Sequence, residues 1–461
     1  MKQQLFEAVH DRFLRPLDRP CRDWAGIEIE LPIINLSREA VDFDVCHQMM
    51  DQFIDTFRFE GIERDDDGHI YHAESPENGD VISFDCSYNT LEFSFAPEED
   101  INIVSGRFTD YYTFCKEMLN SRNYTLTGMG INPYFEVNRN IPIKNDRYRM
   151  LFHHLHSYEK YGSRIPFHHY PNFGLFSSAS QVQLDTDLDH FTNALNTFTL
   201  LEPLKAVLTA NSMLPGKPEK LLTRDDLWEY SLHGLNRHNI GMFDTEIHSE
   251  DEMIRYLASM SVYCVTKGDK YINFPPTPLI DYMDQESMTG EYYDQETQSY
   301  RMITFRPELT DLNDLRSFKF EDLTWRGTIE FRSTCSQPVN EAFTNAALHA
   351  GLMKKLPDLD TLLTEDTVIY HQGYSAAELR KLFQLREIPS FVDQQKLKQL
   401  LIRILDLASE GLEERGNGET PFLRPLYERA EKLMSPAREI ANGLDQGQSI
   451  EDFILKFSEL N

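Results

Sequence analysis

Acidic or amide side chains alternate with apolar ones over five strand-length segments that lie far apart in this chain. The segments are Gly26-Ile27-Glu28-Ile29-Glu30-Leu31, Ser83-Phe84-Asp85, Thr90-Leu91-Glu92-Phe93-Ser94, Ser180-Gln181-Val182-Gln183-Leu184-Asp185 and Thr328-Ile329-Glu330-Phe331-Arg332. Side chains of a strand point alternately to its two faces. Glu28 and Glu30, Asp85, Glu92, Gln181 and Gln183, and Glu330 and Arg332 therefore each oppose an apolar face. If the five segments share a sheet, one side packs on a core and the other gathers carboxylates. Carboxylates that close repel and resist joint ionisation unless cations neutralise them. These faces carry no Lys and a single Arg, so the pattern points to an oxygen-rich metal site suited to Mg²⁺.

The rest of the chain sets the bounds. A length of 461 residues fits two or three small domains or one large one. No internal repeat and no Gly/Pro/Ser linker divides it, so the expectation is one large α+β domain over 1–461. Its sheet core and active site would occupy 24–338, with a helical C-terminal portion at 339–461. An apolar fraction of 41% with 30 Phe and 21 Tyr supplies a substantial core rather than a disordered chain. The formal net charge of −30 argues against nucleic acid or an anionic membrane surface as partner. An anionic substrate must then be drawn in by local cations. The first twenty residues read as an amphipathic helix without the apolar core of a secretory signal. No apolar run is long enough to span a membrane. Cys21, Cys46, Cys86, Cys115, Cys264 and Cys335 are scattered without CxxC pairing, as expected of reduced thiols in a cytoplasmic protein, with a regulatory disulfide left open.

Apolar spacing predicts helices over 43–58, 99–121, 187–211 (with Pro203 inside) and 250–265, and strands over 24–34, within 80–96 and near 124–135. Asp67-Gly68 predicts a two-residue hairpin turn, and the acidic run Glu63–Asp67 reads as solvated rather than as a metal loop. Residues 270–325 mix short strands and loops. After Glu330 alternation ceases, and 340–356, 376–386, 393–413, 422–434 and 449–459 read as helices. His153, His154, His156, His168 and His169 cluster in sequence, but without an HExxH spacing they read as ordinary polar residues.

No GxxxxGK[ST], GxGxxG or GxSxG motif is present. What remains is a set of carboxylates with Arg332 two residues beyond Glu330 on the same strand face. Acidic side chains holding Mg²⁺ with an arginine aimed at them meet the needs of phosphoryl transfer, where charge on the transferred group must be neutralised. A guanidinium suits the role because its fork grips phosphate oxygens two at a time. An internal Glu330–Arg332 salt bridge is the competing reading.

The ordered set is also a resemblance. Gly26-Ile27-Glu28-Ile29-Glu30, Asp85 with Glu92, Ser180-Gln181-Val182-Gln183-Leu184-Asp185, Glu202-Pro203, Ala210-Asn211-Ser212, Arg224-Asp225 with Trp228, Arg237-His238-Asn239-Ile240-Gly241 and Glu330-Phe331-Arg332 run through residues 24–345. In that order they resemble the glutamate–cysteine ligase superfamily of ATP-dependent carboxylate–amine ligases. The resemblance implies an antiparallel-rich curved sheet of the glutamine synthetase/guanido kinase kind, flanked by helices, with the metal and nucleotide site on one face. It implies Glu28, Glu30, Asp85, Glu92, Gln181 and Glu330 as metal ligands, with Gln181 standing where other branches place histidine. Arg332, Glu330 and Arg237 are implied as catalytic, and Arg332, Gln183, Asn211 and Arg224 as nucleotide contacts. The implied cofactors are ATP and two or three Mg²⁺, replaceable by Mn²⁺. The implied reaction joins the γ-carboxylate of L-glutamate to the amine of L-cysteine through a γ-glutamyl phosphate, in a monomer or homodimer. A γ-glutamyl ligase using another amine, or a silent regulatory member, stays open, because the amine pocket has no signature.

Overall fold

The computed structural model describes residues 2–162 and 165–460. The alternating segments do share a sheet. Its strands β1 (Ala25–Asn35), β2 (Glu60–Arg64), β3 (Ile70–Glu74), β4 (Val81–Phe84), β5 (Thr90–Glu98), β6 (Tyr124–Leu126) and β7 (Ser180–Asp185) are joined by Glu321–Leu323 and Thr328–Phe331. The spatial order is Glu321–Leu323, Thr328–Phe331, β7, β1, β5, β4, β3, β2, with β6 beside the end of β1. Every pairing is antiparallel.

Register decides which residues meet, because directly paired residues of an antiparallel sheet share a face. Glu330 pairs with Gln183, Gln181 with Glu28, Glu28 with Ser94, Glu30 with Glu92 and Glu92 with Ser83. The five polar faces thus form one continuous floor. On the reverse side Ile27, Ile29, Val182, Leu91, Phe93, Ile329 and Phe331 are all at most 2% exposed. Helix Ile101–Asn120 packs on β5, and Thr344–Lys354 covers β7 and β1. Helix Gln394–Arg415 lies so close behind Thr344–Lys354 that a Cβ on Gly351 would sit 2.1 Å from the Ala408 carbonyl oxygen. Only glycine permits that crossing. The main core runs without a break from Leu5 to Ala441.

Several boundaries agree with the apolar spacing: Phe43–Phe57, Ile101–Asn120, Phe191–Thr209 and Gln394–Arg415 are helices. Asp42 and Asp100 cap the first two through their side chains. Three expectations fail. The helix expected over 250–265 stops at Ser259, and Ser261–Lys267 is instead a strand of a four-stranded antiparallel sheet with Lys270–Pro278, Met288–Asp294 and Ser299–Phe305. The β-branched and aromatic run Val262-Tyr263-Cys264-Val265-Thr266 outweighs the helical spacing there. The strand near 124–135 ends at Leu126, because the backbone at Gly128 and Gly130 lies flat against Gln337 and Cys335. Finally, the β2–β3 turn is wider than two residues: Asp65 bends inward and accepts the backbone N–H of Asp67 and of His69.

Candidate active site

Above the floor is a cavity of about 330 Å³. Its base holds Glu28, Glu30, Asp85, Glu92, Gln181, Gln183 and Glu330, so every expected metal ligand reaches one space. The cover comes from helix Asp146–His156, which leans on the four-stranded sheet, and from the short helix Arg224–Glu229. Tyr148, Phe152 and Trp228 of these helices join Phe173 and Phe318 from other elements in an aromatic wall. His233 joins that wall as a neutral imidazole, since burial and then Arg316 push its pKa down to about 3.

The floor crowds buried carboxylates together. Glu30, Asp85 and Glu92 each present an oxygen within 4.8 Å of the others. Burial, then the charges of Glu330 and Glu92, push the Glu28 carboxyl up to about 8. Burial and Asp85 push Glu92 up to about 7, and burial, Asp85 and Glu92 raise Glu30 well above its ordinary value. Asp85 is raised by burial too. Amides and hydroxyls supply part of the relief. Gln181 Nε2 donates to Glu28 Oε2 at 3.2 Å and to Glu30 Oε1 at 3.1 Å, Gln183 Nε2 donates to Glu28 Oε1 at 3.2 Å, and Ser94 donates to Glu92 at 2.6 Å. Gln181 Oε1 is buried with no hydrogen-bond partner. An orphaned amide oxygen among carboxylates whose pKa values are raised fits a hard divalent cation, which takes oxygen ligands and removes the repulsion.

Arg332 meets Glu330 as the salt-bridge reading anticipated: Nη1 donates to Glu330 Oε1 at 2.7 Å. It also lines the cavity, so the salt bridge does not remove it from the site. Burial opposes its charge, but Glu330 and Asp322 outweigh that and raise its pKa. Arg224 lines the cavity and donates to the Arg332 carbonyl at 3.1 Å. Sequence reasoning missed Arg147, Arg316 and Arg326 at the same cavity, and Asp322, which pairs with Glu330 across the sheet. Nothing in the pattern flags a lone arginine on a loop or helix turn. Arg147 and Arg316 make no ion pair and no side-chain hydrogen bond among the described residues.

Two expected residues lie elsewhere. Asn211 donates its amide to the carbonyls of Gly128 and Ser336, each at 2.7 Å, and borders a separate apolar cavity with Met129, Met213 and Ile440. With both amide N–H groups held by backbone, it has none left for a nucleotide in the carboxylate cavity. Arg237 is exposed beside a second pocket, bounded by Gly241, Asp244 and Arg380, which meets the main cavity only at Trp228. The clustered histidines disperse: His153 pairs with Glu291, His156 with Asn172 and His168 with the Leu227 carbonyl, while His154 stacks on Tyr263.

Beneath Arg224 and Arg332 is a closed ionic layer. Arg380 donates to Asp225 Oδ2 at 2.7 Å and to Glu202 Oε2 at 2.5 Å, Lys205 donates to Glu202 at 2.5 Å, and Ser333 donates to Glu202 at 2.8 Å. Asp225 and Ser333 are chain neighbours of the two cavity arginines. Arg380 belongs to helix Ala376–Phe383, so the C-terminal helices reach the site through it.

Residues 25–453 match the family description glutamate-cysteine ligase family 2 (GCS2). The chain belongs to this family. Two curated family relatives, the chloroplastic glutamate–cysteine ligases of Nicotiana tabacum and Solanum lycopersicum, are 22% and 21% identical to it over 362 residues. Each match takes in 76% of this chain and 63% of the plant protein, so the chain spans less than two thirds of these relatives' length. A crystal structure of glutamate–cysteine ligase from Francisella tularensis in complex with AMP is similar at a TM-score of 0.45 and 11% identity, over 94% of this chain and 87% of that one. Among the described residues no helix is long and apolar enough to cross a membrane.

Proposed function

We propose that this chain joins the γ-carboxylate of glutamate to the amine of cysteine at the expense of ATP, with Mg²⁺ as cofactor. The observation that carries the reading is a floor of carboxylates with raised pKa values facing arginines in one cavity. Family membership and the two plant relatives support the choice of glutamate and cysteine. Glu28, Glu30, Asp85, Glu92 and Glu330, with the Gln181 amide oxygen, would hold Mg²⁺. The ions would neutralise phosphate and carboxylate oxygens that otherwise repel each other.

The chain's own groups act on the two substrates. A γ-carboxylate oxygen of glutamate attacks the γ-phosphorus of ATP, and the bond to the bridging oxygen breaks to release ADP. Arg332 faces the charge that builds on the transferred group, and Glu330 keeps its guanidinium aimed. Arg147 and Arg316, whose charges no carboxylate among the described residues pairs with directly, are suited to the glutamate α-carboxylate and the triphosphate. Arg224 and Gln183 complete the polar rim, while Arg237 and Asn211 are left out of the set. The amine nitrogen then attacks the acyl carbon, loses its proton, and phosphate departs with the C–O electron pair. The aromatic wall excludes water that would otherwise hydrolyse the acyl phosphate.

The test is phosphate release from ATP with glutamate and a panel of amines, with the product identified by mass. Stimulation by cysteine and a γ-glutamylcysteine product are expected. Release driven by alkylamines or another amino acid but not by cysteine would move the reading to a different γ-glutamyl ligase. No release under any condition would remove the enzymatic reading.

A further inference from the structure

A second cluster of ligand atoms lies outside the cavity, at the opposite end of the sheet. His47, in the second turn of helix Phe43–Phe57, faces Asp65 and His69, which bracket the β2–β3 loop. One ligand atom from each of the three lies within 4.8 Å of the others. The two imidazoles are stacked almost in parallel, with ring centroids 3.7 Å apart and planes 9° apart. Yet the stack leaves His47 Nδ1, His47 Nε2 and His69 Nδ1 shielded from solvent with no hydrogen-bond partner. The nearest anions, Asp44 at 3.7 Å from His47 and Asp65 at 3.5 Å from His69, are beyond hydrogen-bond length. A buried polar atom left unsatisfied is costly, and three in one small cluster call for a missing partner.

Asp65 is built as a ligand rather than as a surface acid. Its side chain is 4% exposed, Oδ1 accepts the N–H of Asp67 and of His69, and Oδ2 accepts the Tyr88 hydroxyl at 2.9 Å. Such outer donors fix the orientation of a ligating carboxylate. The cations close by are already engaged, Lys144 by Asp67 and Arg149 by Asp66. The acidic run therefore divides: Asp66 and Asp67 form the solvated turn expected of it, whereas Asp65 points into the protein. Burial, then the neighbouring His69, lowers the His47 pKa and favours the neutral imidazole that metals bind.

We propose that His47, Asp65 and His69 hold a transition-metal cation of the zinc class, at a site separate from the carboxylate floor. Two imidazoles and one carboxylate suit Zn²⁺ and are a poor match for Mg²⁺, which prefers oxygen throughout. The ion clamps the β2–β3 loop to helix Phe43–Phe57. It thereby braces the sheet edge that leads, through β3 and β4, to Asp85.

The experiment uses the whole chain, stripped of metal by chelation and kept in millimolar Mg²⁺ so that the floor is occupied. Zn²⁺ titration by calorimetry is expected to show one tight equivalent. Substituting Co²⁺ should give the intense visible bands of a four-coordinate ion, and X-ray absorption should show two imidazoles in its shell. His47→Gln and His69→Gln should each weaken binding by at least ~10-fold, while ATP turnover in Mg²⁺ alone stays unchanged. Tight binding that survives both substitutions would overturn the proposal, as would no Zn²⁺ binding to the wild-type chain or a shell of sulfur or carboxylate only. The wild-type spectroscopy decides the matter even if a variant folds poorly.

Discussion

Two groups of buried acids sit a few residues apart in this fold and have opposite electrostatics. In the layer under the cavity, burial alone would raise the Glu202 carboxyl, but Lys205 and Arg380 hold it down to about 2. On the floor, burial first and then neighbouring carboxylates push Glu28 and Glu92 up to about 8 and about 7. In the first group Glu202 and Asp225 have their cations in the protein, and burial, then Glu202, holds the adjoining Glu321 well above its ordinary value. In the second, burial and carboxylate neighbours raise the acids, and on the proposal above it is Mg²⁺ that would neutralise them. Burying acids without partners lowers stability, and the contrast marks the floor as the place where the fold accepts that cost.

Removing one member of the first group should give the largest effect. Arg380→Met strands Glu202 and Asp225 without their guanidinium, and a loss of about 3–5 kcal/mol of stability is expected by denaturant titration. A variant as stable as the parent would erase the distinction between the two groups. On the floor the same kind of change should hurt activity and spare the fold. Glu330→Gln is expected to lower kcat by about 10²–10³-fold with an unchanged circular dichroism spectrum, and near-normal turnover would remove Glu330 from the reacting centre. Arg332→Lys keeps the charge but loses the two-pronged grip, so a fall of about 10–100-fold in kcat/KM is expected from steady-state kinetics.

Most of the floor was readable in the sequence because strand alternation has a period of two, and a residue's face follows from counting. That count placed Glu28, Glu30, Asp85, Glu92, Gln181, Gln183 and Glu330 in one cavity. It had no hold on Arg147, Arg316 and Arg326, which come from a helix turn and from loops whose approach only tertiary packing decides. Asn211 and Arg237 sat within matched motifs, yet hydrogen bonds to distant carbonyls and the course of a loop carried them elsewhere. The helix expected through residue 265 failed for a local reason, since a β-branched run after Ser259 formed a strand against Lys270–Pro278. Asp65 was unreadable because an aspartate in an acidic run shows its inward turn only once Tyr88 and two backbone N–H groups are in place.

The smallest expected effect is also the sharpest test of the contrast. Folding favours the protonated forms of Glu28 and Glu92, because their folded-state pKa values lie above the ordinary value of 4.5. Their contribution to stability is complete below that value and is lost as pH rises through about 7 and about 8. In chelator, the melting temperature should therefore fall between pH 5 and pH 8, and Mg²⁺ should restore more of it at pH 8 than at pH 5. Glu92→Gln should make the metal-free chain more stable at pH 8 by about 1–2 kcal/mol while abolishing that pH dependence in part. A destabilised Glu92→Gln variant would mean that the floor is already neutralised from within.

The central claim is that the carboxylate floor and its arginines move a phosphoryl group onto the γ-carboxylate of glutamate. Glutamate labelled with ¹⁸O in its γ-carboxylate, supplied with ATP, Mg²⁺ and cysteine, tests that transfer by the mass of the released phosphate. One ¹⁸O atom in each phosphate is the predicted result. Phosphate released at the same rate without label would contradict the account.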